Sequence, residues 1–154
     1  MNKFSKIIIV FLILLNNCAY EPIFKKKNIN FTVELDNLNG DKKINSILKN
    51  RFSNYNTGSK KFNISIESIK EKIIISKDSK GDPSIFEISI NVFYVVKDNE
   101  KIIVEDNIIR KNTYDNISDK FELAKFEEII IKNLTESISN DILLSISSIY
   151  NNDN

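Results

Sequence analysis

Between residues 86 and 96 every second side chain is apolar: Phe86, Ile88, Ile90, Val92, Tyr94 and Val96, with Glu87, Ser89 and Asn91 between the first four. A period of two sustained over this length is not a helix face; it is a strand with one buried and one wetted side. Such a strand belongs in an antiparallel sheet whose inner face is covered by another apolar layer. This segment therefore requires a sheet, a covering layer, and neighbouring strands that share its polarity pattern.

The neighbours are legible on both sides. Asp98-Asn99 marks a hairpin tip, and the return strand from Lys101 to about Tyr114 carries Ile102, Val104, Ile108 and Tyr114 on even positions. Upstream, Lys77-Asp78-Ser79-Lys80-Gly81-Asp82-Pro83 is a turn region, where Asp is expected for backbone reasons. The strand before it alternates at Phe62, Ile64 and Ile66 but on odd numbers at Ile73 and Ile75, which predicts a bulge or bend between Glu67 and Lys72. A first strand is predicted at Phe31, Val33 and Leu35, closed by a turn at Asn37-Leu38-Asn39-Gly40.

Two amphipathic helices supply the covering layer. Asp41 is a good N-cap for a helix with the stripe Ile44, Ile47, Leu48, Phe52 and Tyr55, stopped at Asn56-Thr57-Gly58. Asp119 followed by Glu122 resembles a capping box. It opens a helix of about 30 residues with Ala124, Ile131, Leu134, Ile138, Ile142, Ile146 and Ile149 down one side. The order β-α-β-β-β-α predicts an α+β fold: a two-layer sandwich, its mostly antiparallel sheet covered on one face by two helices. The predicted domain spans residues 29–150, with 151–154 as a disordered tail.

What precedes the domain bears on location. Lys3 and Lys6 lead into the apolar run Ile7 to Leu15, and Asn16-Asn17 separate it from Cys18, the sole cysteine. The run is far shorter than the ~20 residues that cross a bilayer as a helix. Residues 1–17 fit a lipoprotein signal peptide, and 18–28 a lipidated N-terminus and tether containing Lys25-Lys26-Lys27. Cleavage would leave Cys18 first, its thiol carrying a diacylglycerol and its amine a third acyl chain. Asn17 replaces the small residue usual before that cysteine, so a plain secreted protein or an uncleaved signal-anchor stands as the alternative. Ala19 rather than Asp after the cysteine favours outer-membrane sorting.

The inventory for chemistry is thin. The chain has no histidine, and no P-loop, dinucleotide fingerprint or Cys/His metal spacing occurs. Glu127 and Glu128 are adjacent on a helix and point about 100° apart. We expect no enzymatic activity, no metal, and no cofactor beyond the lipid on Cys18. A net charge of +1 gives no reason to expect nucleic acid. Lys77 and Lys80 at the turn, with Arg110 and Lys111 on the return strand, are candidates to meet a phosphate-bearing glycolipid. The plainer alternative is that they are solvated charges on a lysine-rich surface.

The segment Cys18-Ala19-Tyr20-Glu21-Pro22-Ile23-Phe24 resembles the CGF-x-PLY start of the LptE family of LPS-assembly lipoproteins, with Ala19 in place of the family's glycine. Arg110-Lys111-Asn112-Thr113-Tyr114-Asp115-Asn116, followed by Phe121, Ala124, Glu127-Glu128 and a long helix, looks like the C-terminal half of its alphaproteobacterial members. The resemblance implies a lipoprotein of the cell outer membrane, lipid-anchored and facing periplasm and barrel lumen. It also implies an LptD-type β-barrel as the partner that the lipoprotein plugs and helps assemble, and a part in delivering lipopolysaccharide to the outer leaflet. The competing expectation is a free periplasmic lipid- or peptide-binding lipoprotein, which predicts an apolar cavity between sheet and helices.

Overall fold

The computed structural model describes residues 31–56 and 58–152; the signal segment, Cys18, the lysine tether and the last two residues lie outside them. The elements are β1 (Phe31–Gly40), α1 (Lys42–Phe52), β2 (Lys60–Lys77), β3 (Pro83–Asp98), β4 (Lys101–Asp115) and α2 (Lys120–Asn152). The strands lie in the order β1-β2-β3-β4. β1 runs parallel to β2 and the other two pairs are antiparallel. With both helices on one face of the sheet, this is the expected α+β sandwich in the order β-α-β-β-β-α.

The alternation in β3 sets the inner face. Phe86, Ile88, Ile90, Val92, Tyr94 and Val96 are all buried, opposite even-numbered residues of β2 and, up to the bulge near Val96, of β4. Above them lie Ile138, Ile142 and Ile146 of α2, four residues apart, and Ile44, Leu48 and Phe52 of α1, all fully buried. Each such side chain contributes roughly 1.5–3 kcal/mol of burial. The Tyr94 hydroxyl, deep under α2, hydrogen-bonds Ser145, so the one polar atom in that row is satisfied.

Four local expectations are corrected. First, Asn37 to Gly40 is not a turn but the second half of β1. Those residues pair with Ser65 to Ser68 of β2, and a bulge at Asp36 returns Leu38 to the inner face. Second, no bulge interrupts β2 between Glu67 and Lys72: the register with β3 is unbroken from Asn63 to Ile74, and the irregularities fall between Ile74 and Lys77. Ile69 and Ile73 occupy the outer face, half-exposed, while Lys70 and Lys72 take the inner positions; Ile75, also half-exposed, falls at the irregularity and has no partner in β3. The shift of phase is a change in which face carries apolar residues.

Third, α1 ends at Phe52 with a cap at Ser53, so Tyr55 lies beyond it, where its carbonyl accepts from Val33 N–H. Fourth, two apolar assignments move. A bulge near Val96 sets Ile102 opposite Lys97, 51% exposed, and Ile103 packs on the core instead. Ala124 is exposed, and Leu123, Ile130 and Leu143 supply buried contacts of α2 beside the expected stripe. Over so long a helix the stripe drifts around the axis, so one column of positions does not describe it.

Turn chemistry follows expectation. The Asp78 carboxylate accepts from the Lys80 and Asp82 N–H groups. Asn99 and Glu100 both have positive φ, 45° and 71°, as a two-residue hairpin turn between twisted strands requires. Asp119 caps α2 through the Phe121 and Glu122 N–H groups.

Asp41 makes a pH-sensitive joint. Its Oδ1 accepts from Lys43 and Ile44 N–H, and its Oδ2 pairs with Lys70 Nζ at 2.9 Å. Burial pushes this carboxyl up, but the hydrogen bond from Lys70, the Ile44 amide, the lysine's charge and the Lys43 amide together outweigh it, and the pKa lies below its ordinary 3.8. The stabilisation is therefore present above that ordinary value and is lost as pH falls through the lowered one. Asp41→Asn keeps a cap acceptor and removes the charge. We expect it to cost up to about 1 kcal/mol at pH 6 and progressively less as pH falls through the lowered pKa, measured by urea denaturation across pH. A pH-independent difference would show that the charge plays no part.

Candidate functional site

Two helical stripes face each other on the outer side of the helix layer. On α1 and the turn after it, Lys43, Ile47, Asn50, Arg51 and Asn54 recur at steps of four, three, one and three. On α2, Lys125, Glu128, Ile129, Lys132 and Glu136 recur at three, one, three and four. Both spacings keep side chains on one helix face. The two helices run in the same direction, and the valley between them is a groove of about 560 Å³, within the range of small-molecule sites.

Its ends are tied. Lys43 Nζ meets Glu128 Oε1 at 2.5 Å, and Arg51 Nη2 donates to Asn140 Oδ1 at 2.8 Å. The hydrogen bond and charge of Lys43 hold the Glu128 carboxyl below its usual range. Arg51 is different: its buried Nε meets no acceptor and, among the described residues, no carboxylate pairs with it. Lys125 and Lys132 likewise make no ion pair among the described residues. Ile47 and Ile129 supply apolar surface, Ile129 being 48% exposed.

The adjacent glutamates diverge as their helical spacing requires. Glu127 turns to the sheet, where its Oε1 accepts from Tyr114 Oη at 2.8 Å and from Lys72 Nζ at 2.5 Å. Burial, then the hydrogen bond to Glu127 and that residue's charge, push the Tyr114 phenol well above its ordinary value. Tyr114 is thus a permanent donor, and with Lys72 lying 4.2 Å over the Phe86 ring it fastens α2 to the sheet. Among the described residues, no group of three or more His, Cys, Asp or Glu side chains could hold a metal ion.

The four basic residues singled out from sequence do not converge. Arg110 lies on the inner side of β4 and pairs with Asp141 of α2 at 2.5 Å. Lys111 points to the opposite face and pairs with Glu87 at 2.9 Å. Lys77 and Lys80 are exposed beside the Asp78 turn and make no ion pair among the described residues. Exposed pairs such as these contribute ~0–1 kcal/mol. Cys18 lies outside the described residues. The groove was not singled out from sequence: Ile47 looked like part of the buried stripe. Cations at helical spacing around an apolar residue on each helix, Lys43 and Arg51 about Ile47, Lys125 and Lys132 about Ile129, were the available signal.

No protein-family model matches the chain, and no curated protein matches it by sequence. Solved structures do match its fold. Rare lipoprotein B from Shewanella oneidensis superposes with a TM-score of 0.61 at 14% identity, covering 79% of this chain and 96% of that one. An uncharacterized lipoprotein B from Nitrosomonas europaea gives 0.58 at 20% identity, with coverages of 80% and 88%. A minor lipoprotein from Acinetobacter baumannii gives 0.53 at 12%, with 77% and 95%. At these identities the likeness is one of fold, and it extends over nearly the whole of each neighbour.

Proposed function

We propose that this chain is a lipid-anchored outer-membrane lipoprotein that plugs and helps assemble an LptD-type β-barrel, aids delivery of lipopolysaccharide to the outer leaflet, and performs no catalysis. The observation that carries this reading is the sharing of one sandwich fold with rare lipoprotein B and other lipoproteins over 88–96% of their length. The Cys18 segment supports it independently, because its order of basic residues, apolar run and cysteine is that of a lipoprotein signal. A plug must fill its own interior and present a largely polar exterior to a wet lumen. Here Ile90, Ile138, Ile142 and Ile146 fill the space between sheet and helices with no exposure at all. That filled interior counts against the alternative of a free lipid carrier with a cavity between its layers.

The test is affinity capture of the tagged full chain from outer membranes in mild detergent, followed by mass spectrometry. Stoichiometric recovery of one large β-barrel is expected; recovery of the acylated protein alone would sink the barrel role. A companion prediction concerns the anchor. Cys18→Ala is expected to abolish palmitate labelling and to leave the far-ultraviolet circular dichroism unchanged, since Cys18 precedes every strand and helix described. Labelling that survives the substitution would rule out acylation at this cysteine.

A further inference from the structure

We propose that the open edge of the sheet, β4, pairs with the same edge of a second copy of this chain, antiparallel and centred on Ile108. The inference concerns the chain free of any barrel and does not rest on the barrel reading. Three properties of the edge point to this partner.

The first is that β4 is the edge left open. The β1 edge is closed: Val33 N–H donates to Tyr55 O, Thr32 bridges Asn56, Thr32 Oγ1 donates to Gly58 O, and the bulge at Asp36 breaks the line of the strand. Among the described residues no strand pairs with β4 on the side away from β3. From Val104 to Tyr114 its register with β3 is unbroken, and neither proline nor glycine interrupts it. A straight edge of this kind presents a row of unused N–H and C=O groups to a strand that matches it.

The second is charge. The run Glu105-Asp106-Asn107-Ile108-Ile109-Arg110-Lys111 is acidic before Ile108 and basic after it. A second copy, turned end for end about Ile108, sets Arg110 opposite Asp106 and Lys111 opposite Glu105, each pair occurring twice about the axis. Opposite charges directly across from each other favour the pairing of two strands, and like charges oppose it. A parallel partner in register would set every charge beside its own kind. Glu105 and Asp106 make no ion pair among the described residues. Arg110 and Lys111 each hold one carboxylate of their own chain, Asp141 and Glu87. A guanidinium has donors enough for a second carboxylate, and so has an ammonium.

The third is register. Asp106, Ile108 and Arg110 lie opposite inner-face residues of β3, and Glu105 and Lys111 opposite outer-face ones. Pairing about Ile108 therefore sets inner residues against inner and outer against outer. The two four-stranded sheets continue as one, with the helices of both copies on the same side. Moving the centre to Asn107 or Ile109 keeps the faces matched but sets every one of these charges opposite an uncharged residue. Slipping the pairing by one residue turns inner side chains against outer ones. Charge and face thus select one register, and its two-fold axis closes the contact after two copies.

The full chain, purified in dodecyl maltoside, is followed by sedimentation equilibrium at matched detergent density. A reversible monomer–dimer equilibrium is expected. Glu105→Lys, which breaks no ion pair within the fold, is expected to weaken the dimer about tenfold or more, because two attractions become two repulsions. Lys111→Glu should do the same alone. An equimolar mixture of the two variants is expected to form a mixed dimer about as tight as that of the unmodified chain, since each lysine then meets a glutamate. Register is read separately from Ile108→Cys in a Cys18→Ala chain, where it is the sole thiol. Directly opposed residues lie about 4.5–5.5 Å apart at Cα, within disulfide reach, so an oxidised dimer is expected. Asp106→Cys in the same chain should not cross-link, because its copy stands four residues along, about 13 Å away. A chain monomeric up to about 100 μM, a dimer indifferent to Glu105→Lys, or no rescue on mixing overturns the proposal. Cross-linking at Asp106→Cys and not at Ile108→Cys overturns the register. Barrel capture reads a different partner, so failure of either experiment leaves the other standing.

Discussion

Gly40→Ala is expected to lower the free energy of unfolding by about 3 kcal/mol or more, read from urea denaturation followed by far-ultraviolet circular dichroism. Gly40 ends β1 with φ +98°, and a Cβ placed there would stand 1.8 Å from the Ser68 carbonyl oxygen, with the Ser68 carbonyl carbon and nitrogen at 2.8 and 2.9 Å. All three are backbone atoms of the neighbouring strand, so no rotamer change clears them. The end of β1 must part from β2. With it go the Asp41 N–H bond to Ser68 O, the Ser68 Oγ bonds to Asn39 O and Asn45 Oδ1, and the placement of the Asp41 cap on α1. Gly81→Ala is the matched control. Gly81 has a similar φ of +90°, yet a Cβ there would meet nothing within 4 Å. It should cost only the backbone strain of the left-handed region, about 1–2 kcal/mol. Equal losses for the two variants would mean that φ alone, and not the close strand approach, makes Gly40 necessary.

Phe62→Ala is expected to cost about 3–5 kcal/mol, the range for emptying a buried phenyl site. Phe62 has no exposed surface and packs edge-to-face on Phe31, with ring centroids 5.6 Å apart. Phe31 in turn lies 5.7 Å from Tyr150, in the last turns of α2. The three rings join β2, β1 and the end of the long helix, so the cavity opens where three elements meet and cannot collapse from one side. Phe121→Ala, at a site 78% exposed, should change stability by no more than about 0.5 kcal/mol. A Phe62→Ala loss below about 1 kcal/mol would show that this end of the sandwich repacks.

The successes and failures of sequence reading have distinct physical origins. The six alternating residues of β3 announce a strand because its inner face is covered from end to end. Asn37 to Gly40 looked like a turn because their composition suits one. They become strand because a parallel neighbour far along the chain accepts their backbone hydrogen bonds, and no local preference registers that partner. The isoleucines of β2 misled for a related reason: alternation tells which residues share a face, and not which face is covered. The groove was the least legible feature. It exists only once two helices separated by residues 53–119 lie side by side, so Arg51 and Lys132 have nothing in common until the fold is complete. Of the residues first considered for lipid contact, Arg110 and Lys111 are consecutive, and consecutive strand residues part to opposite faces.

The placement of Phe31 against Tyr150 means that both described ends of the chain leave from one end of the molecule, beside the β3–β4 hairpin tip, where Lys60 pairs with Asp98. The Asp78 turn lies at the other end of β2, a strand of 18 residues, roughly 55 Å away at ~3.3 Å per residue. The sandwich is thus a rod with a tethering end and a far end. Its length along β2 is about twice the ~25 Å apolar height of an outer-membrane barrel. An affinity tag at the C-terminus would share the tethering end, whereas one inserted in the turn at Ser79 would report on whatever the far end meets.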